Sequence, residues 1–356
     1  MEQKALQELE KKLAPLEARR KRELLLAGGL FLLTPLWAYL LTPPLAHLGP
    51  LGVLWPILSA LPAVYASLRL WRLRAELKEA LLEPLAEALG YRYTPYLGLP
   101  QEVAYASGLL APADRYEGED LLEGEVRGFP FRSGDLALYR RVRTRNSTDY
   151  RRVFSGTLYR FALPFSIPGP VRLFPQGGGE RAGEASPLAV LILSLPFLLF
   201  GLFALLSFQD AAAKAVGGFF ILASSLPLLA LLAGRRRGER VALESPAFEA
   251  LFEVRGEDQV GARRLLTPRV QEALTGLRRR LGKPLWLSFR EGEAWLLVGG
   301  GDRFEPSLLQ PLNRGTLQAY AYRWTRELGE AGRFLEALGL ELEARKRGLL
   351  EEGKRP

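Results

Sequence analysis

Apolar residues are concentrated in four long uncharged blocks, and the remainder of the chain follows shorter polar and apolar alternations. The blocks cover residues 24–42, 49–68, 187–208 and 215–233. At a rise of about 1.5 Å per residue, each block approaches the length needed to cross a hydrocarbon core of about 30 Å. The pattern therefore predicts four transmembrane helices, arranged as two hairpins.

Basic residues flank these blocks on one side only. They precede the first block, follow the second and follow the fourth, whereas the connectors inside the two hairpins are almost uncharged. By the positive-inside rule, both termini and both polar regions are predicted to be cytoplasmic, in a multi-pass protein of the bacterial inner membrane. The spans contain no Asp, Glu, Lys, Arg or His, so we expect an anchor rather than a transport pathway.

The polar regions carry the periods of helices and strands. Leu6, Leu9, Leu13 and Leu16 form one apolar stripe and predict an amphipathic helix over residues 1–23. A second amphipathic helix is expected over residues 72–89, ended by Gly90. The region before the third block then alternates with a period of two, and it predicts strands at residues 120–127, 129–143, 153–163 and 171–174.

Helix-start signals recur after the fourth block. Ser245-Pro246 and Thr267-Pro268 have the residue types of an N-cap followed by proline at the first helical position. A hairpin is expected at residues 285–298, and a last helix at residues 316–338.

The predicted fold class is therefore an α+β cytoplasmic domain with two transmembrane helical hairpins. Its first half is β-rich and its second half is mixed α/β. The predicted segments are an N-terminal helix, a transmembrane hairpin, a β-rich half-domain, a second transmembrane hairpin, an α+β half-domain and a tail, at residues 1–23, 24–70, 71–182, 187–234, 235–345 and 346–356.

Composition excludes several kinds of chemistry. The 356 residues include no cysteine and one histidine, so disulfides, thiolate metal sites and zinc sites with several imidazoles are excluded. We expect no cofactor. The near absence of cysteine and methionine is typical of thermophile-like composition.

An acidic stretch stands out in a chain whose formal net charge is +9. RYEGEDLLEGEV (115–126) carries five carboxylates, and its Gly-Glu-Asp triplet recurs at residues 256–258. Carboxylates so close together can bind a hard cation or perform acid–base catalysis. The simpler interpretation is a solvated strand face that pairs with arginines. The candidate acidic motif consists of Glu117, Glu119, Asp120, Glu257 and Asp258.

A second cluster is basic and surrounds one predicted turn. Such a patch can bind phosphates of anionic lipid headgroups or a partner protein. Pairing with the glutamates of the same sheet is the alternative, and each exposed pair would contribute about 0–1 kcal/mol. The candidate patch consists of Arg140, Arg141, Arg143, Arg145, Arg151 and Arg152.

Several longer phrases resemble a bacterial family of membrane-associated proteins known as domain of unknown function 3137. The resemblance implies a membrane-anchored α+β domain and implies no activity or catalytic residue. The second apolar hairpin is expected to depart from the family pattern, which has a soluble connection at this place. The phrases are LAPLEARRKREL (13–24), SGLLAPADRYEGEDLLEGEVRGFPFRSGDLALY (107–139), VFSGTLYRFALP (153–164), ESPAFEALFEVRGEDQVGARRLLTPRVQEAL (244–274), LSFREGEAWLLV (287–298) and FEPSLLQPL (304–312).

The sequence predicts a membrane protein that presents a binding or scaffolding domain. Its partner would be another membrane protein or anionic lipid, and nucleic acid is not expected. The alternative is a membrane-bound enzyme that acts on lipid or envelope precursors through its carboxylates. The oligomeric state is left open.

Overall fold

The computed structural model describes most of the chain in two compact units. The first unit comprises residues 1–96, 120–124 and 303–327, and the second comprises residues 97–119, 125–302 and 328–356. The described residues are 3–45, 55–143, 147–164, 169–177, 179, 181–183, 187–207, 210–233, 238–290, 292–300 and 304–352.

The first unit is built on two long helices and a short strand. Their bounds are α1 (Gln3–Leu45), α2 (Trp55–Ala88) and β1 (Arg92–Thr94). Apolar residues of α2 at helical spacing are fully buried, among them Leu77, Leu81 and Leu85. The helix ends at Gly90, whose φ of 79° is left-handed and suits glycine.

The predicted leucine stripe of the N-terminal helix is used for packing. Leu9 and Leu13 are buried, and polar contacts beside them fix the helix to residues 308–314. Arg20 donates to the carbonyl of Leu308 at 2.6 Å, and the backbone N–H of Leu312 donates to Glu17 at 2.9 Å. The start of α1 is thereby held within the first unit.

The second unit contains most of a large antiparallel sheet, while β2 and the last helix contribute residues to both units. The remaining elements are α3 (Gln101–Ala106), β2 (Arg115–Val126), β3 (Phe129–Arg143), β4 (Thr148–Ala162), β5 (Val171–Pro175), α4 (Pro187–Ser207), α5 (Ala211–Ala233), β6 (Glu239–Arg240), α6 (Pro246–Glu249), β7 (Phe252–Gly256), α7 (Gln259–Leu265), α8 (Pro268–Leu281), β8 (Leu285–Arg290), β9 (Glu293–Gly299) and α9 (Arg314–Glu352).

Strands from both sides of the second apolar hairpin join one sheet. From β2 the order is β2-β3-β4-β9-β8-β5-β7-β6. The strand β4 pairs with β9, and β5 lies between β8 and β7, so distant parts of the chain become neighbours. Phe289 of β8 contacts Phe334 of α9. The α+β part of the predicted fold class is confirmed.

The predicted transmembrane architecture is wrong. Among the residues that the structure describes, no helix combines the length and the apolar character needed to cross a membrane. The predicted four-span integral protein, its membrane partnership and its location in the inner membrane all depended on those spans, so they are wrong as well.

For the first two blocks, the uncharged run is only part of a longer helix that also carries charged residues. Residues 24–42 are the later part of a 43-residue helix whose first half is charged. Residues 49–68 begin outside the described part, and α2 continues beyond them through three arginines. The last two blocks form α4 and α5, which pack closely at Gly201 and Gly217.

Large apolar side chains remain exposed on α1, α2, α4 and α5. Leu25, Leu32 and Leu206 each expose more than three quarters of their surface, and Phe219 exposes 65%. Large apolar side chains exposed in such numbers on one helix are typical of interaction sites.

Glu17 gives the first unit a pH-dependent contribution to stability. The hydrogen bond from Arg20 is the main cause that lowers the pKa of Glu17 from 4.5 to about 2, and the Leu312 N–H adds to it, against the opposing effect of burial. A lowered carboxyl pKa stabilises the fold above the unfolded value and loses this contribution as pH falls towards 2.

We expect Glu17→Gln to lower the free energy of unfolding by about 1–2 kcal/mol at pH 7, after allowance for solvent screening. The difference from wild type should shrink below pH 4.5 and disappear near pH 2. Urea unfolding across this range checks it, with Glu8→Gln on the exposed face of the same helix as the control. A difference that does not change with pH would contradict the account.

Candidate functional site

The strands β3 and β4 form a long hairpin that carries the predicted arginine patch. Arg140 lies directly opposite Arg151, Arg141 opposite Tyr150, and Tyr139 opposite Arg152. A register shift between Leu138 and Tyr139 marks a bulge just before these pairs. The structure thus brings five of the six predicted arginines together, while Arg145 lies outside the described residues.

The patch is divided between the two faces of the hairpin, because successive side chains of a strand point in opposite directions. Arg140 and Arg151 share one face. The other face carries the remaining described arginines and two aromatic rings. These residues are Tyr139, Arg141, Arg143, Tyr150 and Arg152. The arginines of both faces are exposed.

Arg115 of β2 joins the aromatic face. Its guanidinium carbon lies 5.8 Å from the ring centre of Tyr139 and 5.9 Å from that of Tyr150, within cation–π distance. Glu117 pairs with Arg115. A hydrogen bond to Glu117 is also the main cause that raises the pKa of Tyr139, with burial second. These contacts fix the aromatic rings.

The expected pairing between the patch and the glutamates of the sheet stays a prediction for most of its arginines. The recorded ion pair of Glu117 is with Arg115, which is outside the patch. Within the described part of the chain, no carboxylate forms a recorded ion pair with Arg140 or Arg151. Arg140 and Arg151 therefore lie directly opposite each other on one face of the hairpin.

One edge of the hairpin is also open. The strand β9 pairs with β4 from Gly156 onward, and the N–H of Gly300 reaches the carbonyl of Ser155. No described strand pairs with residues 148–154 on that side. Their backbone groups and arginine side chains lie together on the same free edge.

The acidic motif is not an exposed surface like the arginine patch, because Asp120 is fully buried in an ion pair. Its carboxylate lies 2.8 Å from the ammonium of Lys78, which is 97% buried, and it accepts a hydrogen bond from Tyr93. Glu305 lies 3.7 Å from the same ammonium and 3.5 Å from Arg74. Two cations and two carboxylates thus form a balanced network.

Local packing holds this network in place. Asp120 has a φ of 62°, an uncommon conformation that aspartate tolerates better than most residues. Beside it, the rings of Tyr93 and Phe304 lie 5.7 Å apart, and Phe304 lies 4.9 Å from Trp324. A strained, buried carboxylate with a cation at hydrogen-bond distance is typical of a structural ion pair.

The other acidic residues serve separate elements. Glu117 pairs with Arg115, Asp258 caps α7 by accepting from the N–H of Val260, and Glu257 lines a small cavity. Glu119 has a contact within the chain. No three carboxylates among the described residues are grouped closely enough to hold a metal ion.

Sequence reasoning missed the partners of Asp120. Lys78 carried the available signal, since it falls on the apolar side of the helix predicted at residues 72–89, between Leu77 and Leu81 in the buried series. A lysine at such a position requires a carboxylate. Tyr93 and Glu305 come from distant parts of the chain and gave no comparable signal.

Comparison with known proteins supports the family resemblance. Residues 199–340 match the model of the family described as "Protein of unknown function (DUF3137)". The match begins inside α4 and includes α5, so it covers most of the hairpin that we expected to depart from the family pattern. It does not extend to the phrases before residue 187.

Other comparisons add little. No curated protein matches the chain. The crystal structure of the mycobacterial trehalose monomycolate transport factor A is similar over 73% of this chain and 96% of its own, at 10% identity and a TM-score of 0.32. A likeness at this level carries no argument about fold or function.

We expect Asp120→Asn to lower the free energy of unfolding by about 3–5 kcal/mol, because it leaves the buried Lys78 ammonium without its main counter-charge. Urea unfolding at pH 7 measures the loss. Glu125→Gln, on the exposed side of the same strand, should change stability by less than about 0.5 kcal/mol. Equal effects of the two substitutions would contradict a structural ion pair.

Proposed function

We propose that this chain, identified over residues 199–340 as a member of the DUF3137 family, is a binding or scaffolding protein. In this proposal, the β3–β4 hairpin recognises an acidic segment of a partner protein. The observation that supports it most is the direct opposition of Arg140 and Arg151, neither of which forms an ion pair with a described carboxylate, although Asp149 lies on the same face.

Electrostatics favours an anionic partner at this place. Like charges directly opposite on paired strands destabilise a sheet, and an incoming carboxylate relieves that repulsion. The guanidinium group binds carboxylates through two parallel hydrogen bonds, which adds geometric specificity to the attraction. The chain's net charge of +9 also favours encounter with acidic partners.

The open edge of β4 favours an extended segment. A peptide can add itself as a strand to a free sheet edge, where main-chain hydrogen bonds contribute affinity and side-chain contacts contribute specificity. Residues 148–154 provide such an edge, with Arg151 and Arg152 on it. An acidic peptide in extended conformation could pair with the backbone of this edge and place its carboxylates beside these arginines.

The test uses the full chain and a fluorescein-labelled peptide of alternating glutamate and valine. Fluorescence anisotropy should show binding that weakens as salt is raised. We expect the double substitution Arg140→Gln with Arg151→Gln to raise the Kd about tenfold, the sum expected for a few partly exposed charge contacts.

A matched control tests whether the effect is local. Arg263→Gln with Arg264→Gln removes the same charge from exposed positions of α7 and should leave the Kd nearly unchanged. An equal increase in Kd for both double substitutions would show that the peptide is attracted by net charge alone, and it would refute the proposed site. So would the absence of binding by the wild-type chain.

A further inference from the structure

A second group of arginines surrounds a cavity on other strands of the sheet. The cavity has a volume of about 100 Å³. Among the described residues that line it are Arg172 of β5, Arg255 of β7 and Arg290 of β8, together with Ser107 and Glu257. Three guanidinium groups from three strands thus converge on one space, at positions that no sequence motif connects.

Strand pairing forces two of these arginines together. Arg172 lies directly opposite Arg255, and Arg240 of β6 lies opposite Arg255 on its other side. Three arginines therefore form a row across β5, β7 and β6 on one face of the sheet. Such a row destabilises the sheet unless negative charge lies close to it.

Carboxylates lie close to this row. Glu253 is hydrogen-bonded to Arg255 at 2.7 Å, and Glu257 lines the cavity. Glu293, which lies opposite Arg290 in the sheet, is engaged by Arg160. Glu253 thus satisfies part of the hydrogen-bonding capacity of Arg255.

Arg255 is buried, and one of its hydrogen-bond donors has no acceptor. The residue is 94% buried. It donates to Glu253 and, at 3.2 Å, to the carbonyl of Gly238, but its Nε–H has no partner. A buried donor without an acceptor is costly, and an oxyanion in the cavity would supply one. The hydroxyl of Ser288, opposite Arg172, is likewise buried without a partner.

Size limits the ligand to a small group. A cavity of this volume holds several waters, since one water requires about 10–15 Å³ in the same measure. Sites for cofactor-sized or drug-sized molecules are larger, about 300–1,000 Å³. A tetrahedral oxyanion fits the space, and three guanidinium groups match the geometry and charge of phosphate.

We propose that this cavity, lined by Arg172, Arg255 and Arg290, is a binding site for phosphate, either as the free ion or as the phosphate group of a larger molecule. The site lies on strands other than β3 and β4. It is therefore independent of the proposed function of the hairpin.

Calorimetry on the full chain tests the proposal, with sodium phosphate titrated against sodium chloride of equal ionic strength. We expect saturable binding of phosphate and a higher unfolding temperature in phosphate than in chloride. Arg172→Gln and Arg290→Gln should each weaken binding about tenfold. Arg279→Gln, exposed on α8 and away from the cavity lining, should leave it unchanged.

A phenyl phosphate titration distinguishes the two sources. Binding comparable to that of inorganic phosphate indicates a site for a phosphate group on a larger molecule, and loss of binding indicates the free ion. Circular dichroism checks the folding of each variant. Because Arg290 is exposed, Arg290→Gln is expected to fold and still tests the site if Arg172→Gln unfolds. No phosphate effect beyond chloride, or a folded Arg290→Gln with unchanged affinity, would overturn the proposal.

Discussion

Antiparallel pairing sets arginine directly opposite arginine at two places in this sheet, and the binding properties we propose depend on that constraint. Arg140 faces Arg151 in the β3–β4 hairpin, and Arg255 lies between Arg172 and Arg240. Each pair opposes folding of the sheet, because like charges on facing strands repel. A bound anion reverses the sign of this interaction, so that the same pairs favour the complex.

The chain pairs its charges elsewhere, and this distinguishes Arg140 and Arg151, which form no ion pair with a described carboxylate. The buried Lys78 ammonium has Asp120 as its counter-charge and Glu305 close by. Glu17 accepts from Arg20 and from the backbone of Leu312. Breaking such pairs destabilises a protein, since it leaves a charge without compensation. The repulsive Arg140–Arg151 pair is therefore better explained by recognition than by folding.

Local sequence patterns predicted the β3–β4 hairpin, but they did not predict which of its residues lie opposite each other. The alternation predicted at residues 129–143 and 153–163 was enough to bring the arginines together, whereas the bulge beside Tyr139 decides which of them lie opposite each other. Asp120 was expected on a solvated strand, and long-range packing against Lys78 buried it instead. The cavity arginines come from strands far apart in sequence. The first two predicted spans are parts of longer helices that also carry charged residues.

The energetic cost of the opposed arginines is the central claim, and urea unfolding of the full chain measures it most directly. Arg140→Gln with Arg151→Gln should raise the free energy of unfolding by about 0.2–1 kcal/mol in low salt, with a smaller gain in high salt, because salt screens the repulsion. A variant that is less stable than wild type, or equally stable at both salt concentrations, would contradict the claim that this pair opposes folding.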